Sequence, residues 1–287
     1  MAEATLAFIG GSGLYDIDGL EDRREVTIDT PFGPPSDDIV LGKIGETDVA
    51  FLPRHGRGHR ISPTELPVRA NIFALKTLGV ERIVSISAVG SLKEEIRPLD
   101  IAVPDQIIDR TKSRAGTFFG DGLVVHVGLA EPFCAELSEH LMAAAAEHGE
   151  HARAVGTYVV IEGPQFSTRA ESELYRSWGA SVIGMTALPE AKLAREAEIC
   201  YAIMALVTDY DVWHQSEADV SVELVIANLM KNVETSKSVI ASLANRLPSD
   251  RNCACGSALK DAIITSRESI PREAKEKLSP LIGKYLD

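Results

Sequence analysis

Two carboxylates in the C-terminal half could do proton chemistry. Asp209 and Asp211 sit in the run Thr208-Asp209-Tyr210-Asp211, directly after an apolar stretch at 201–207. One residue apart on an extended chain, they would project to the same side and face one ligand together. Partly buried acids this close have one pKa raised, which suits a proton donor. Loop acids or a helix cap would be written with the same letters.

A second group could hold an anion. Residues 54–60 read Arg-His-Gly-Arg-Gly-His-Arg, straight after an apolar strand at 48–52. Arginine offers a rigid fork of donors suited to phosphate. A solvated basic loop is the plainer alternative. Near the N-terminus, Gly10-Gly11-Ser12-Gly13 follows the apolar run 5–9. Glycines there let the backbone approach a ligand, and Ser12 adds a hydroxyl. The run is no dinucleotide fingerprint, because Asp16 stands where a third glycine belongs. A tight turn is the alternative. Ser87, Ser91 and Glu162 also follow apolar runs. Phe166 could be core, or a flat face for an aromatic ring.

Strands and helices must alternate to bring these ends together. Strands are expected at 5–9, 39–44, 48–52, 82–87, 100–104, 155–161 and 201–207, with another ending near Gly184. Helices are expected at 64–78, 131–148 and 221–243, each with an apolar stripe. Thr168-x-x-Glu171 is a capping box opening a further helix that Gly179 stops. A charged helical tail occupies 271–286. Six to eight strands alternating with helices mean an α/β fold, a single domain with a central mixed, twisted sheet flanked by helices. We divide it into a main part, 1–248, and a C-terminal helical extension of the same domain, 249–287.

Composition excludes some partners. The net charge of −13 over 287 residues disfavours nucleic acid and anionic membranes. No apolar run approaches the roughly 20 residues that span a bilayer. The first residues lack the basic segment of a signal peptide, so a cytoplasmic location is expected. Four cysteines without a framework pattern fit a reducing compartment. A disulfide between Cys253 and Cys255 would close a small, strained ring, so two reduced thiols are expected.

As an ordered set, these segments resemble the 5′-methylthioadenosine phosphorylases, in the trimeric branch of the purine nucleoside phosphorylases. The matching residues are Gly10-Gly11-Ser12-Gly13-Leu14, Thr30-Pro31-Phe32-Gly33, Arg54-His55-Gly56-Arg57 and Ser87-Ala88-Val89-Gly90-Ser91-Leu92. They continue with Glu162-Gly163-Pro164-Gln165-Phe166-Ser167, Met185-Thr186 and Thr208-Asp209-Tyr210-Asp211. The resemblance implies phosphorolysis of S-methyl-5′-thioadenosine to adenine and 5-methylthioribose 1-phosphate, in methionine and purine salvage. Inorganic phosphate is then a co-substrate, and no cofactor or metal is needed. A homotrimer or a dimer of trimers is implied.

Carried onto this chain, the resemblance assigns phosphate to Ser12, Arg54, His55, Ser87 and Thr186, with backbone near Ala88. Ser87 stands where many members have Thr. Met185 would meet the sugar, Phe166 would stack near the base, and Ser167, Asp209 and Asp211 would read its edge. Asp209 would give a proton to N7 and Asp211 would accept from N6. Val222, Val225 and Ile226 would line an apolar pocket for the methylthio group, bordered by His59 and by His126 from a neighbouring subunit. The 6-oxopurine enzymes of this branch carry Asn at the place of Asp209, so the acid points to adenine. Gly184, where many members have Asn, should leave room or a water beside the base. A broader purine nucleoside phosphorylase, a phosphate-independent nucleosidase and a non-catalytic nucleoside binder are the alternatives.

Overall fold

The computed structural model describes residues 2–11, 17, 19–148, 151–216 and 219–286. Nine strands run in chain order: β1 (Leu6–Gly10), β2 (Leu20–Val26), β3 (Ile39–Ile44), β4 (Thr47–Pro53), β5 (Arg82–Ser91), β6 (Ile101–Arg110), β7 (Ala152–Ile161), β8 (Val182–Gly184) and β9 (Cys200–Asp209). The α-helices are α1 (Val68–Thr77), α2 (Ala135–His148), α3 (Arg169–Ser177), α4 (Ala187–Glu196), α5 (Val222–Arg246), α6 (Arg272–Lys277) and α7 (Ser279–Ile282).

The strands form one mixed sheet in the order β2-β3-β4-β1-β5-β8-β7-β6-β9. β9 also pairs with β5 along nearly its whole length, so β5, β8, β7, β6 and β9 close into a ring. β1, β4, β5 and β9 are mutually parallel where they pair, which gathers their C-terminal ends on one edge. Ligands sit outside such ends in α/β sheets. Every residue of β1 and of β9 is buried, as expected for strands covered on both faces.

Several boundaries move for identifiable reasons. β2 was not expected, since Leu-Glu-Asp-Arg-Arg-Glu-Val has no apolar alternation. It is an edge strand held by backbone pairing to β3, where charged side chains remain in water. β6 runs on to Arg110 because β7 pairs with it throughout; its outer half is polar and partly exposed. β5 likewise continues past Ser87 to Ser91, since β9 and then β8 supply partners. α1 starts only at Val68, after Pro67. α2 starts at Ala135 because the Cys134 N–H donates to the Tyr201 carbonyl instead (2.8 Å). α5 begins where Ser221 caps the Leu224 N–H (3.2 Å) and runs to Arg246. The expected capping box holds: Thr168 accepts from the Glu171 N–H, and Glu171 accepts from the Thr168 N–H (2.8 Å).

The C-terminal extension is not one helix. Two short helices, α6 and α7, meet at Leu278, and a 3-10 turn, Gly283–Tyr285, follows. The extension shares the main core: Leu259, Ile270, Leu278, Leu281 and Ile282 are all buried in it. Val125 bridges to Ile263, and the Lys277 ammonium lies over the Phe32 ring at 4.8 Å. Among the described residues, no helix is long and apolar enough to cross a membrane.

Candidate active site

The basic loop begins where β4 ends, and its first arginine turns inward. Arg54 is 2 % exposed. Its Nε donates to Glu190 Oε1 (2.5 Å), Nη1 to the Ile86 carbonyl (2.9 Å), and Nη2 to the Ile9 carbonyl (3.1 Å) and Ser85 Oγ (2.6 Å). Burial works against the guanidinium charge, but the Glu190 carboxylate beside it outweighs burial and raises the pKa. Glu190, from α4, also accepts from Ser85 Oγ (2.9 Å) and Tyr201 Oη (2.8 Å). Arg54 thus fastens the C-terminal ends of β1 and β4 and the middle of β5 to α4, and one Nη1 hydrogen is not used in these bonds. Glu190 was not expected at the site; in the sequence it is one of the two acids of α4 and carries no local signal of its role.

His55 follows. Its Nδ1 faces the Ile61 carbonyl at 2.8 Å, so this nitrogen carries the hydrogen and Nε2 is left as an acceptor in the neutral ring. Burial and the neighbouring Arg54 charge push the His55 pKa down to about 4, so the ring is neutral near pH 7. His59 stacks on it, with ring centres 4.2 Å apart. Arg57 turns away, to Glu25 (2.9 Å).

Three buried hydroxyls stand near this end without hydrogen-bond partners: Ser87 Oγ of β5, Thr186 Oγ1 ahead of α4, and Tyr158 Oη of β7. Burial pushes the Tyr158 hydroxyl up to about 12, while Ser87, the Arg54 charge and Thr186 pull the other way. None of the three closes a hydrogen bond of normal geometry, so all remain available to a ligand. Ala88 follows in β5, opposite Leu206. Ser12 lies outside the described residues.

Tyr158 also corrects the expectation for Gly184. A Cβ on Gly184 would lie 2.1 Å from the Tyr158 oxygen, so the missing side chain leaves no open room; Tyr158 fills it. A tyrosine within the apolar strand Val-Gly-Thr-Tyr-Val-Val-Ile was the available signal, since a phenol buried there needs a polar partner.

The acid pair lies farther along β5 and β9. Asp209 and Asp211 are 3 % and 4 % exposed. They are not side by side on an extended chain: β9 ends at Asp209, and Asp211 is left-handed, with φ of 52°. The turn lets the Asp211 N–H donate to Asp209 Oδ1 (2.8 Å), while Thr208 Oγ1 donates to Oδ2 (2.7 Å). Burial drives the Asp209 pKa up to about 6, against the hydrogen bonds from Thr208 and the Asp211 N–H, with a further push from the Asp211 charge. Burial raises Asp211 as well. The Ser172 and Ser167 hydroxyls beside it offset part of that, yet neither bonds to it with normal geometry, and Asp211 Oδ2 has no partner. Space for the pair comes from Gly90: a Cβ there would meet Asp209 Oδ1 at 2.9 Å and Asp211 Cβ at 3.3 Å.

Positioning residues that the sequence analysis did not single out complete the frame. The Asn228 side chain of α5 donates to the Thr208 carbonyl (2.7 Å), which holds α5 against the end of β9. Arg114 donates to the carbonyls of Met185 (2.5 Å), Leu188 (2.6 Å) and Glu162 (2.5 Å), tying the ends of β7 and β8 together. Phe166 is 39 % exposed and is not core. Val222 and Ile226 are exposed, and Val225 half-buried, on the first turns of α5. His126 is exposed, and its N–H donates to the Ala262 carbonyl (2.9 Å), on the side of the C-terminal extension.

The arrangement thus offers an anion end with neutral donors and one tethered cation, and an acid end with a partly protonated carboxyl. Residues 87–90 of β5 run between them.

The chain is similar to known proteins over nearly its whole length. The sequence pattern described as the phosphorylase superfamily matches residues 5–245. An S-methyl-5′-thioadenosine phosphorylase of Geobacter sulfurreducens is 56% identical over 285 residues, 99% of this chain and 100% of that one. A protein of the same name from Koribacter versatilis is 57% identical over 99% of this chain and 97% of its own length. Among solved structures, a methylthioadenosine phosphorylase from an Antarctic soil metagenomic library superposes with a TM-score of 0.94, at 52% identity, covering 98% of this chain and 99% of that one. An S12T mutant of an adenosine/methylthioadenosine phosphorylase from Schistosoma mansoni, in complex with methylthioadenosine, gives a TM-score of 0.83 at 34% identity, covering 90% of this chain and 96% of its own.

Proposed function

The chain belongs to the phosphorylase superfamily, and from that premise we propose that it cleaves S-methyl-5′-thioadenosine with inorganic phosphate to adenine and 5-methylthioribose 1-phosphate. The observation that carries this reading is the pairing of buried, unpartnered hydroxyls at Ser87 and Thr186 with a carboxyl raised to about 6 at Asp209.

Phosphate binds Ser87 and Thr186, with the free hydrogen of Arg54, the Nε2 side of His55 and the backbone near Ala88 around it. A phosphate hydroxyl donates to His55 Nε2. Tyr158 joins this set as a further donor. A phosphate oxygen attacks C1′ as the bond from C1′ to N9 breaks, and the electron pair passes to the base. Asp209 then gives its proton to N7, and Asp211 accepts from the N6 amine through Oδ2. Catalysis rests on placing the anion and neutralising the leaving base. Met185, held by Arg114, meets the ribose; Phe166 and Ser167 meet the base. Val222, Val225, Ile226 and His59 enclose the methylthio end, with His126 supplied by a neighbouring subunit. The reaction needs no cofactor.

The enzyme works as a homotrimer or a dimer of trimers. In support, Val222, Ile226 and Met230 lie exposed at successive fourth positions of α5, an apolar stripe that a neighbouring copy would cover. Residues 249–287 belong to the same domain, which their share in the core supports. Four free cysteines suit the cytoplasm.

Product analysis with and without phosphate tests the reaction. Adenine and methylthioribose 1-phosphate should form only when phosphate is present. Adenine formed without phosphate would mean a nucleosidase, and no cleavage would remove the reading.

A further inference from the structure

All four cysteines of the chain converge on one point, although three regions of the sequence supply them. Cys134 precedes α2, Cys200 opens β9, and Cys253 and Cys255 flank Ala254 at the start of the C-terminal extension. Their sulfur atoms all lie within 4.8 Å of one another, and those of Cys200 and Cys253 are 3.3 Å apart. All four are free thiols. A 3-10 turn, Ala254–Ser257, turns both members of the Cys-x-Cys pair inward. Cys134, Cys200 and Cys255 are buried within an apolar cluster, and Cys253 packs against the same cluster partly buried.

We propose that Cys134, Cys200, Cys253 and Cys255 bind one zinc ion, which clamps the C-terminal extension to the core. A tetrahedral zinc with sulfur at about 2.3 Å places its ligands about 3.8 Å apart, close to the spacing found here. Binding releases one proton from each thiol and leaves a centre of net charge about −2. Arg195 of α4 offsets part of that charge: its Nη1 lies 3.7 Å from Cys255 Sγ, and its Nη2 is anchored on the Glu131 carbonyl. A pair of neutral disulfides would give that guanidinium nothing to offset.

The ion is structural. Cys200 stands at the N-terminal end of β9 and Asp209 at the other, which separates the sulfur cluster from the acid pair by about 30 Å. It joins α2, β9 and residues 253–255, which also share an apolar cluster and the bond from the Cys134 N–H to the Tyr201 carbonyl.

The test is metal content of the reduced full-length protein prepared without chelator, followed by anaerobic cobalt(II) titration of metal-free protein. About one zinc per chain is expected, and cobalt should give the intense absorption of a tetrahedral tetrathiolate centre. The double variant Cys253→Ser/Cys255→Ser should lose both signals. Chelation should lower Tm while leaving phosphorolysis unchanged at temperatures where the apoprotein stays folded. Wild-type protein that takes up neither metal with four titratable thiols would overturn the proposal. So would a native mass short of the hydrogens lost to disulfides, which would make the cluster a redox pair. Zinc bound equally by the double variant would also refute it.

Discussion

Asp209→Asn separates the carboxyl's chemistry from its electrostatics, because the amide fits the same hydrogen bonds. Its oxygen can accept from the Asp211 N–H, and its NH2 can donate to Thr208 Oγ1, whose hydroxyl hydrogen can turn to the Val89 carbonyl 3.3 Å away. Burial lifts the wild-type pKa from 3.8 to about 6. That rise of roughly 2 units corresponds to about 3 kcal/mol of destabilisation once the group is ionised. A raised acid pKa stabilises the fold at low pH. The contribution is full below pH 3.8, shrinks as pH rises through about 6, and is gone above it. The Asn variant has no such dependence. It should therefore gain on wild type between pH 4 and pH 8, by roughly 5–10 °C in melting temperature. Its kcat/KM for methylthioadenosine should fall by about 10²–10⁴ through loss of the proton donor. The descending limb near pH 6 of the wild-type kcat/KM profile should vanish, while the limb from phosphate's own ionisation stays. Thermal melts across pH, with initial rates on the same samples, are the assay. A melting difference that does not change with pH would refute the buried-acid reasoning. An unchanged kcat/KM would refute the proton-donor role.

Other substitutions probe the frame. Gly184→Ala forces Tyr158 aside, since the new methyl would sit 2.1 Å from its oxygen; stability should drop by about 1–3 kcal/mol and the KM for phosphate should rise, read from denaturant unfolding and phosphate titration. An unchanged phosphate KM would remove Tyr158 from the anion site. Glu190→Gln leaves the buried Arg54 charge without its partner and should destabilise by about 3–5 kcal/mol in urea titrations; a loss below 1 kcal/mol would mean that the backbone carbonyls alone hold Arg54.

Residues that follow apolar strands could be read directly, because the edge of a parallel sheet where strands end is also where ligands are held. Thr186 and Asp209 occupy such places, whereas Ser87 lies within β5, which runs on to Ser91. β2 escaped because an edge strand can keep charged side chains in water and owes its form to β3 alone. Phe166 carried two readings, and only its exposure chose between them. Arg54 looked like part of a basic loop. Its burial against Glu190, distant by 136 residues, is invisible to any local pattern.

The order of strands, helices and small polar strand ends determined the fold class, the family and the two kinds of chemistry, since these depend on local periodicity and residue type. Tertiary structure alone decided which groups meet. It set Tyr158 into the space at Gly184, bent Asp211 back onto Asp209 beside Gly90, and joined four cysteines from three regions. Each of these contacts links segments through the sheet and its register, so each exists only once the chain has closed upon itself. The same closure takes Asp209 out of water and lifts its pKa, a property that an isolated residue in sequence does not have.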